Sequence, residues 1–221
     1  MKKIKENILG LSFLLSIPLI NISYKLLNNA DRGVYSLLTD IDRAVPFLKI
    51  FILPYIFWYI YVLGGLVYLC FKNKKVYYIA LASLNIGLII CSVLYYYFQT
   101  TVLRPELVDN DILTRLVTFI YNHDQPYNCF PSTHVTTTYI VMKGINAIKI
   151  YKSFKLLTNI IGILIILSTQ FVKQHVILDL IFAILLGEIV YKIVEFLSND
   201  GGVILKKKII SLLTMKKKLE N

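Results

Sequence analysis

Three residues near the C-terminal half carry the densest chemical potential in the chain: His134, His175 and Asp179. His175 and Asp179 stand four apart, so on a helix they share a face. A carboxylate there holds the proton of one imidazole nitrogen and stabilises the imidazolium. The other nitrogen is left as an attacking lone pair. The same spacing also serves a pair that merely joins two helices, and the two residues alone do not choose. His134 follows Pro131, Ser132 and Thr133 at the start of an apolar run, where free backbone N–H groups can face an anion. Its plainer reading is a surface histidine. Arg104, followed by Pro105, offers a planar fork suited to a phosphate, or an interfacial arginine among lipid headgroups.

The elements that must position these groups are apolar. Of the 221 residues, 57% are hydrophobic and 17% charged, and the mean hydropathy is +0.65. A soluble domain is nearer about 45–50% apolar and about 25% charged. The composition excludes a disordered chain, a collagen, a coiled coil and a disulfide-stapled module, and indicates an all-α polytopic membrane protein. Six spans of roughly 20 residues are legible: about 8–24, 50–71, 76–98, 132–148, 156–172 and 176–197. The fourth is the least apolar, with Thr136, Thr137, Thr138 and Lys143. A long polar stretch, 99–131, separates the third and fourth. The first span lacks a small-residue cleavage site and is read as an uncleaved anchor.

Lysines orient the six-transmembrane-helix bundle. Lys2, Lys3 and Lys5 precede the first span, and Lys72, Lys74 and Lys75 fill the turn after the second. Lys149, Lys152 and Lys155 follow the fourth, and further lysines follow the sixth. All fall on one side, which the positive-inside rule makes cytoplasmic, with both termini. Lys25, Arg32, Arg43 and Lys49 make the first opposing loop a partial exception. Residues 1–202 then form one six-span domain, and 203–221 a basic amphipathic tail suited to an anionic lipid surface. The net charge of +11 sits at span ends, with no solvated basic face for nucleic acid. Cys70 and Cys91 lie in apolar runs and Cys129 alone in a loop, so no disulfide framework is expected. His123 and Asp124 are read as solvated loop residues, because His123, Asp124, His134 and His175 match no metal-site spacing.

With topology assigned from lysines, Arg104, His134, Ser168, Lys173, His175 and Asp179 converge on the opposite face. Arg-Pro at 104–105, Pro-Ser-Thr-His at 131–134, and Ser168, His175 and Asp179 at offsets of seven and eleven together resemble the type 2 phosphatidic acid phosphatase superfamily. Its pattern is KxxxxxxRP, PSGH and SRxxxxxHxxxD. The stretch "DIDRAVPFLKIFILPYIFW" looks like the inositol phosphorylceramide synthase-like branch. Three positions depart from the pattern. Tyr97 stands for the first lysine, Thr133 for glycine, and Thr169 for the phosphate-binding arginine. Lys173 would restore one cation, and Gln99 a neutral donor.

The resemblance implies a mechanism. His175 attacks phosphorus to form a phosphohistidine, with Asp179 orienting it. His134 protonates the leaving oxygen and then takes a proton from the acceptor. Arg104, Lys173, Ser132 and the Thr133 backbone hold the phosphate oxygens, with no metal and no cofactor. Phosphoryl transfer rests on positioning and charge stabilisation, in keeping with such a site. Two histidines with opposed protonation needs predict a bell-shaped pH profile. The expected protein is a multi-pass lipid phosphatase of the plasma membrane, its site facing outward toward a lipid phosphate or diphosphate. A phosphotransferase of the inositol phosphorylceramide synthase type would share the first half-reaction. A third class is a non-catalytic lipid-binding protein with a degenerate site. Nothing in the spans specifies an oligomeric state.

Overall fold

The structure, a computed structural model, describes residues 2–199, so the basic tail expected from 203 onward lies outside the described residues. It is 74% helical and 2% strand. The first long helix comprises α1 (Lys2–Ser12), a 3-10 turn at Phe13–Leu15 and α2 (Ser16–Leu27). Pro18 accounts for the tightening: it has no N–H for the Leu14 carbonyl, and its ring crowds that oxygen. A short strand β1 (Tyr35–Ser36) and helix α3 (Asp40–Ala44) then lead to α4 (Ile52–Lys72). A single residue, Asn73, turns the chain into α5 (Lys74–Tyr97), and its side chain accepts from Val76 N at 3.2 Å. After β2 (Thr100–Thr101), which pairs in parallel with β1, come α6 (Ile112–His123), α7 (Thr133–Ala147), α8 (Lys152–Phe171) and α9 (Ile177–Ser198).

Helix α7 is the axis of the bundle, packed by α4, α5, α8 and α9. Ten of its fifteen residues are buried. That explains why the least apolar segment lies innermost. The hydroxyls of Thr136, Thr137 and Thr138 each bond the carbonyl four residues back, at 2.9, 2.7 and 2.7 Å, so none enters the core unsatisfied. Glycines let the backbones nest. A Cβ on Gly65 would stand 2.4 Å from Val141 Cγ1, and one on Gly144 2.7 Å from Leu69 Cδ1. Lys143 on α7 meets Glu188 on α9 at 3.0 Å, and Glu188 also accepts from Tyr139 and pairs with Lys192.

Among the described residues, four helical stretches are long and apolar enough to cross a membrane: Asn7–Leu27, Lys49–Lys72, Lys74–Tyr97 and Lys152–Phe171. The two remaining expected spans are helices but differ in kind. Helix α7 has only 15 residues, about 22 Å at 1.5 Å each. Helix α9 has 22 but carries Asp179, Glu188, Lys192 and Glu195. Large apolar side chains such as Ile60, Leu63, Ile89, Ile163 and Ile189 stand exposed around the bundle, a surface unlike that of a water-soluble monomer.

The stretch 99–131 is more ordered than its polarity suggests. Asp111 caps α6 by accepting from Leu113 N and Thr114 N, and Lys49 pairs with Asp109 and Asp111. The apolar face of α6, with Val117 and Ile120, packs on Ile52, Tyr55 and Val172. Asp111 as cap and the apolar spacing Leu113, Leu116, Val117, Ile120 were the signals of this helix.

Candidate active site

All seven expected site residues lie at one end of the bundle, where α7 and α9 begin. His175 sits in the five-residue link between α8 and α9. Its backbone N–H and that of Gln174 both donate to the Thr169 carbonyl, at 3.1 and 2.9 Å, folding the link back on α8. The ring is 5% exposed. Its Nδ1 lies 3.0 Å from the Cys129 carbonyl and 3.3 Å from Asp179 Oδ2, and the same Oδ2 accepts from Val176 N. Nδ1 is thereby occupied and Nε2 is the nitrogen left for chemistry.

Asp42 holds this link from outside. It is 3% exposed and accepts from Ile177 N at 2.7 Å, Gln170 Nε2 at 2.8 Å, and the Thr39 backbone and hydroxyl. Burial pushes its carboxyl up, but these hydrogen bonds outweigh it and leave the group below its ordinary value. Lys173, with a left-handed φ of 53°, donates to the carbonyls of Asp42 and Val45 at 2.9 and 2.5 Å. Burial lowers its ammonium below the usual lysine range.

His134 is buried on the first turn of α7 and faces His175, with ring centroids 5.9 Å apart. Tyr55 and Trp58 pack tilted against it, with ring centroids 4.8 and 4.3 Å away, and Trp58 is fixed by its own hydrogen bond to Thr137. Its Nδ1 is buried with no partner. Ser132 caps α7 by accepting from Val135 N at 3.3 Å, and the N–H groups of Thr133 and His134 have no intrahelical acceptor. The Phe130–Pro131 peptide is cis, and the Pro131 carbonyl accepts from Tyr95 at 2.6 Å.

Arg104 lies over the Tyr121 ring at 4.3 Å. It donates to the Tyr121 and Asp124 carbonyls at 3.1 and 2.6 Å and to Gln174 Oε1, while its Nε is buried without a partner. Asp124 is not simply solvated: Tyr24 and Asn28 donate to it at 2.8 and 3.0 Å. Burial lifts its carboxyl above the ordinary range, against these bonds and the nearby His175 and Arg104. His123 is exposed, as expected, but it closes helix α6 rather than lying in a loop.

The three departures from the motif pattern now have places. Tyr97 is 79% exposed and lies beside Tyr96, away from the histidines. Thr169 is buried, its hydroxyl turned back to the Ile166 carbonyl at 2.7 Å. Gln99 supplies no free donor, because its amide N–H groups go to Leu27 O and Asn128 Oδ1, and its oxygen accepts from Thr100 N and Asn128 N.

Two cavities flank the histidine pair. One of about 360 Å³ is lined by Arg43, Arg104, Lys173 and His175. The other, about 620 Å³, is lined by Tyr24, Lys25, Asn28, Asp124, Thr133 and His134. Among the described residues, Cys129, His175 and Asp179 bring metal-ligating atoms within 4.8 Å of one another. The Nδ1 of that histidine is the one already bonded to the Cys129 carbonyl and Asp179.

Asp42, Tyr55, Trp58 and the Cys129 carbonyl were not expected at the site from the sequence, and Asp124 was expected to be solvated. Trp58, the only tryptophan, was a signal, as was Asp42 inside "DIDRAVP". The others are contacts across the fold and had none.

A buried His–Asp pair facing a second histidine, beside an arginine and a helix N-terminus with two N–H groups free of intrahelical acceptors, is an arrangement suited to phosphoryl transfer through nitrogen. The PAP2 superfamily model matches residues 76–197, which is 122 of the 221 residues, and the chain belongs to that superfamily. Its members are membrane-associated phosphatases and phosphotransferases. Neither the curated proteins nor the solved structures provide a match.

Proposed function

We propose that this protein is an integral membrane lipid phosphatase acting through a phosphohistidine at His175. The observation that carries the reading is the hydrogen bonding of His175: Nδ1 is taken by Asp179 and the Cys129 carbonyl, with His134 5.9 Å away ring to ring. Nε2 of His175 forms a bond to phosphorus as the bond to the alcohol oxygen breaks, and His134 gives that oxygen its proton. Water then attacks phosphorus, His134 takes its proton, and inorganic phosphate leaves with His175 regenerated. Asp179 stabilises the charged ring, while Arg104, Lys173, Ser132 and the Thr133 backbone hold the phosphate oxygens. For Lys173 this uses the proton left after its two carbonyl bonds.

In this reading α7 and α9 complete six spans, both termini are cytoplasmic, and the site faces outward from the plasma membrane. The lysine positions support it. The basic tail would rest on anionic lipid. A second reading, transfer to an alcohol, has one observation in its favour: the polar cavity beside His134 is about 620 Å³, far more than water requires.

The test is phosphate release by purified protein in lipid nanodiscs with EDTA present. Phosphatidic acid, phosphatidylglycerol phosphate and a polyprenyl diphosphate form the panel, beside His175→Ala. Chelator-resistant release lost in the variant is expected. Full turnover by His175→Ala would refute the assignment. Phosphorylated product appearing only when diacylglycerol or inositol is added would favour transfer.

A further inference from the structure

We infer that an apolar slot between the first long helix, α4 and α5 seats one hydrocarbon chain of the lipid phosphate, on the leaving-group side of His134. The inference rests on the phosphatase reading and adds to it where the lipid is recognised. The slot has a volume of about 250 Å³, and its walls include Leu14, Ile17, Leu63, Leu84 and Leu88. It adjoins the polar cavity at His134: Asn21, Trp58, Tyr59 and Thr133 line both.

Lining changes from polar to apolar along one helix face. Asn21, Ile17 and Leu14 lie one turn apart, so about 10 Å separates the polar end from the floor at 1.5 Å per residue. A concave site with a polar mouth and an apolar floor fits an amphiphile, and water in such a floor has no partners. Leu63 stands 54% exposed on the outer surface, which gives the slot a side open to the surrounding lipid. Ile17 packs on the core and Ser16 and Ser23 bond Asn85 and Ser92 of α5, yet no residue of α2 is fully buried, so this wall of the slot is itself bordered by the outer surface. Mechanism sets the direction. If His134 protonates the leaving oxygen, the alcohol and its chain lie on the His134 side, where the slot begins. The other cavity, beside His175, mixes Leu38, Val102, Leu103 and Val176 with Arg43, Arg104 and Lys173, so its apolar lining is interrupted by three cations.

The experiment is photolabelling of the full-length protein in phosphatidylcholine nanodiscs by decyl phosphate carrying a terminal diazirine, with adducts mapped by mass spectrometry. Adducts are expected on Ile17, Leu63 and Leu84, suppressed by excess decyl phosphate. Leu63→Trp should cut labelling of Ile17 and Leu84 at least fivefold. Ile60→Trp, equally lipid-facing on α4 but outside the slot, should leave labelling and turnover unchanged. Across alkyl phosphates of increasing length, kcat/KM should rise about fourfold per methylene, to a limit that Leu63→Trp shortens. Labels spread evenly over lipid-facing residues, or gathered beside Arg43 and Arg104, would overturn the slot, as would a chain-length series that Leu63→Trp does not alter. Turnover of p-nitrophenyl phosphate separates the two claims. If the wild-type protein leaves that ester and every alkyl phosphate intact, the phosphatase reading fails, and the labelling pattern alone decides the slot.

Discussion

The two ends of the bundle solve the same connection problem in different ways. At the lysine-rich end, α4 and α5 are joined by Asn73 alone, and α7 and α8 by residues 148–151. At the histidine end the α2–α4 and α5–α7 links are long, the α8–α9 link is five residues, and their buried polar groups are heavily bonded. Asp42 accepts four hydrogen bonds, and the Gln99 amide makes four. Turning a chain does not require this. Burying amides and carboxylates costs free energy unless each is partnered, so such networks mark where geometry must be held rather than merely connected. One end closes the bundle; the other fixes His175 and His134 against each other.

The largest effect that follows is chemical. His175→Ala should lower kcat by about 10³-fold or more, roughly 4 kcal/mol in the barrier. Stability in detergent should fall by only about 1–3 kcal/mol, because the Cys129 carbonyl and Asp179 each lose a buried partner. A fall in melting temperature large enough to account for the lost activity would mean the histidine end is structural like the other. Next comes Gln99→Ala, which strips partners from Leu27, Thr100 and Asn128 at once. A destabilisation of about 1–3 kcal/mol is expected. A lowered kcat should accompany it, because Asn128 leads directly into Cys129, whose carbonyl orients His175. Unchanged kcat would confine the network to stability.

Asp42 sharpens the contrast through pH. Its folded-state carboxyl lies below the ordinary carboxylate value of about 3.9. The stability it contributes is therefore fully present above that value and is lost as pH falls through the lower folded value. Asp42→Asn keeps the size but cannot accept at both oxygens. The variant should unfold at lower temperature than the wild type at pH 7, by about 1–2 kcal/mol, and the gap should narrow as the pH is taken below 4. A gap independent of pH would show that the hydrogen bonds to Ile177, Gln170 and Thr39 do not depend on the charge.

What was legible in the sequence tracks what is local. Apolar runs mark the long helices, and the offsets among Ser168, His175 and Asp179 bring the pair together where the α8–α9 link enters the first turn of α9. Helix α6 was hidden because its apolar stripe is only one face of twelve residues set in a polar stretch. The roles of Asp42 and the Cys129 carbonyl were not legible, since Asp42 meets Ile177 across 135 positions and a carbonyl has no residue type. Gln99 and Thr169 show the converse. Side-chain chemistry alone makes either a phosphate donor, whereas the fold has already committed both to partners within the protein.

The smallest prediction tests the quiet end. Asn73 is exposed and caps α5 through Val76 N, while its own N–H closes α4 on the Leu69 carbonyl at 2.8 Å. Asn73→Ala removes only the side-chain cap, and water replaces part of that bond at an exposed site. The cost should be about 1 kcal/mol in unfolding, with kcat and KM unchanged. The reasoning is that α5 reaches the site end 24 residues later, where Tyr95 holds the Pro131 carbonyl. A frayed first turn does not move that contact if the intervening helix is anchored by Tyr77, Leu84 and Cys91, all fully buried. A several-fold drop in kcat would mean that the fray travels along α5 to Tyr95. The two ends would then be one mechanical unit, and the polar network at the histidine end would not by itself be holding the site.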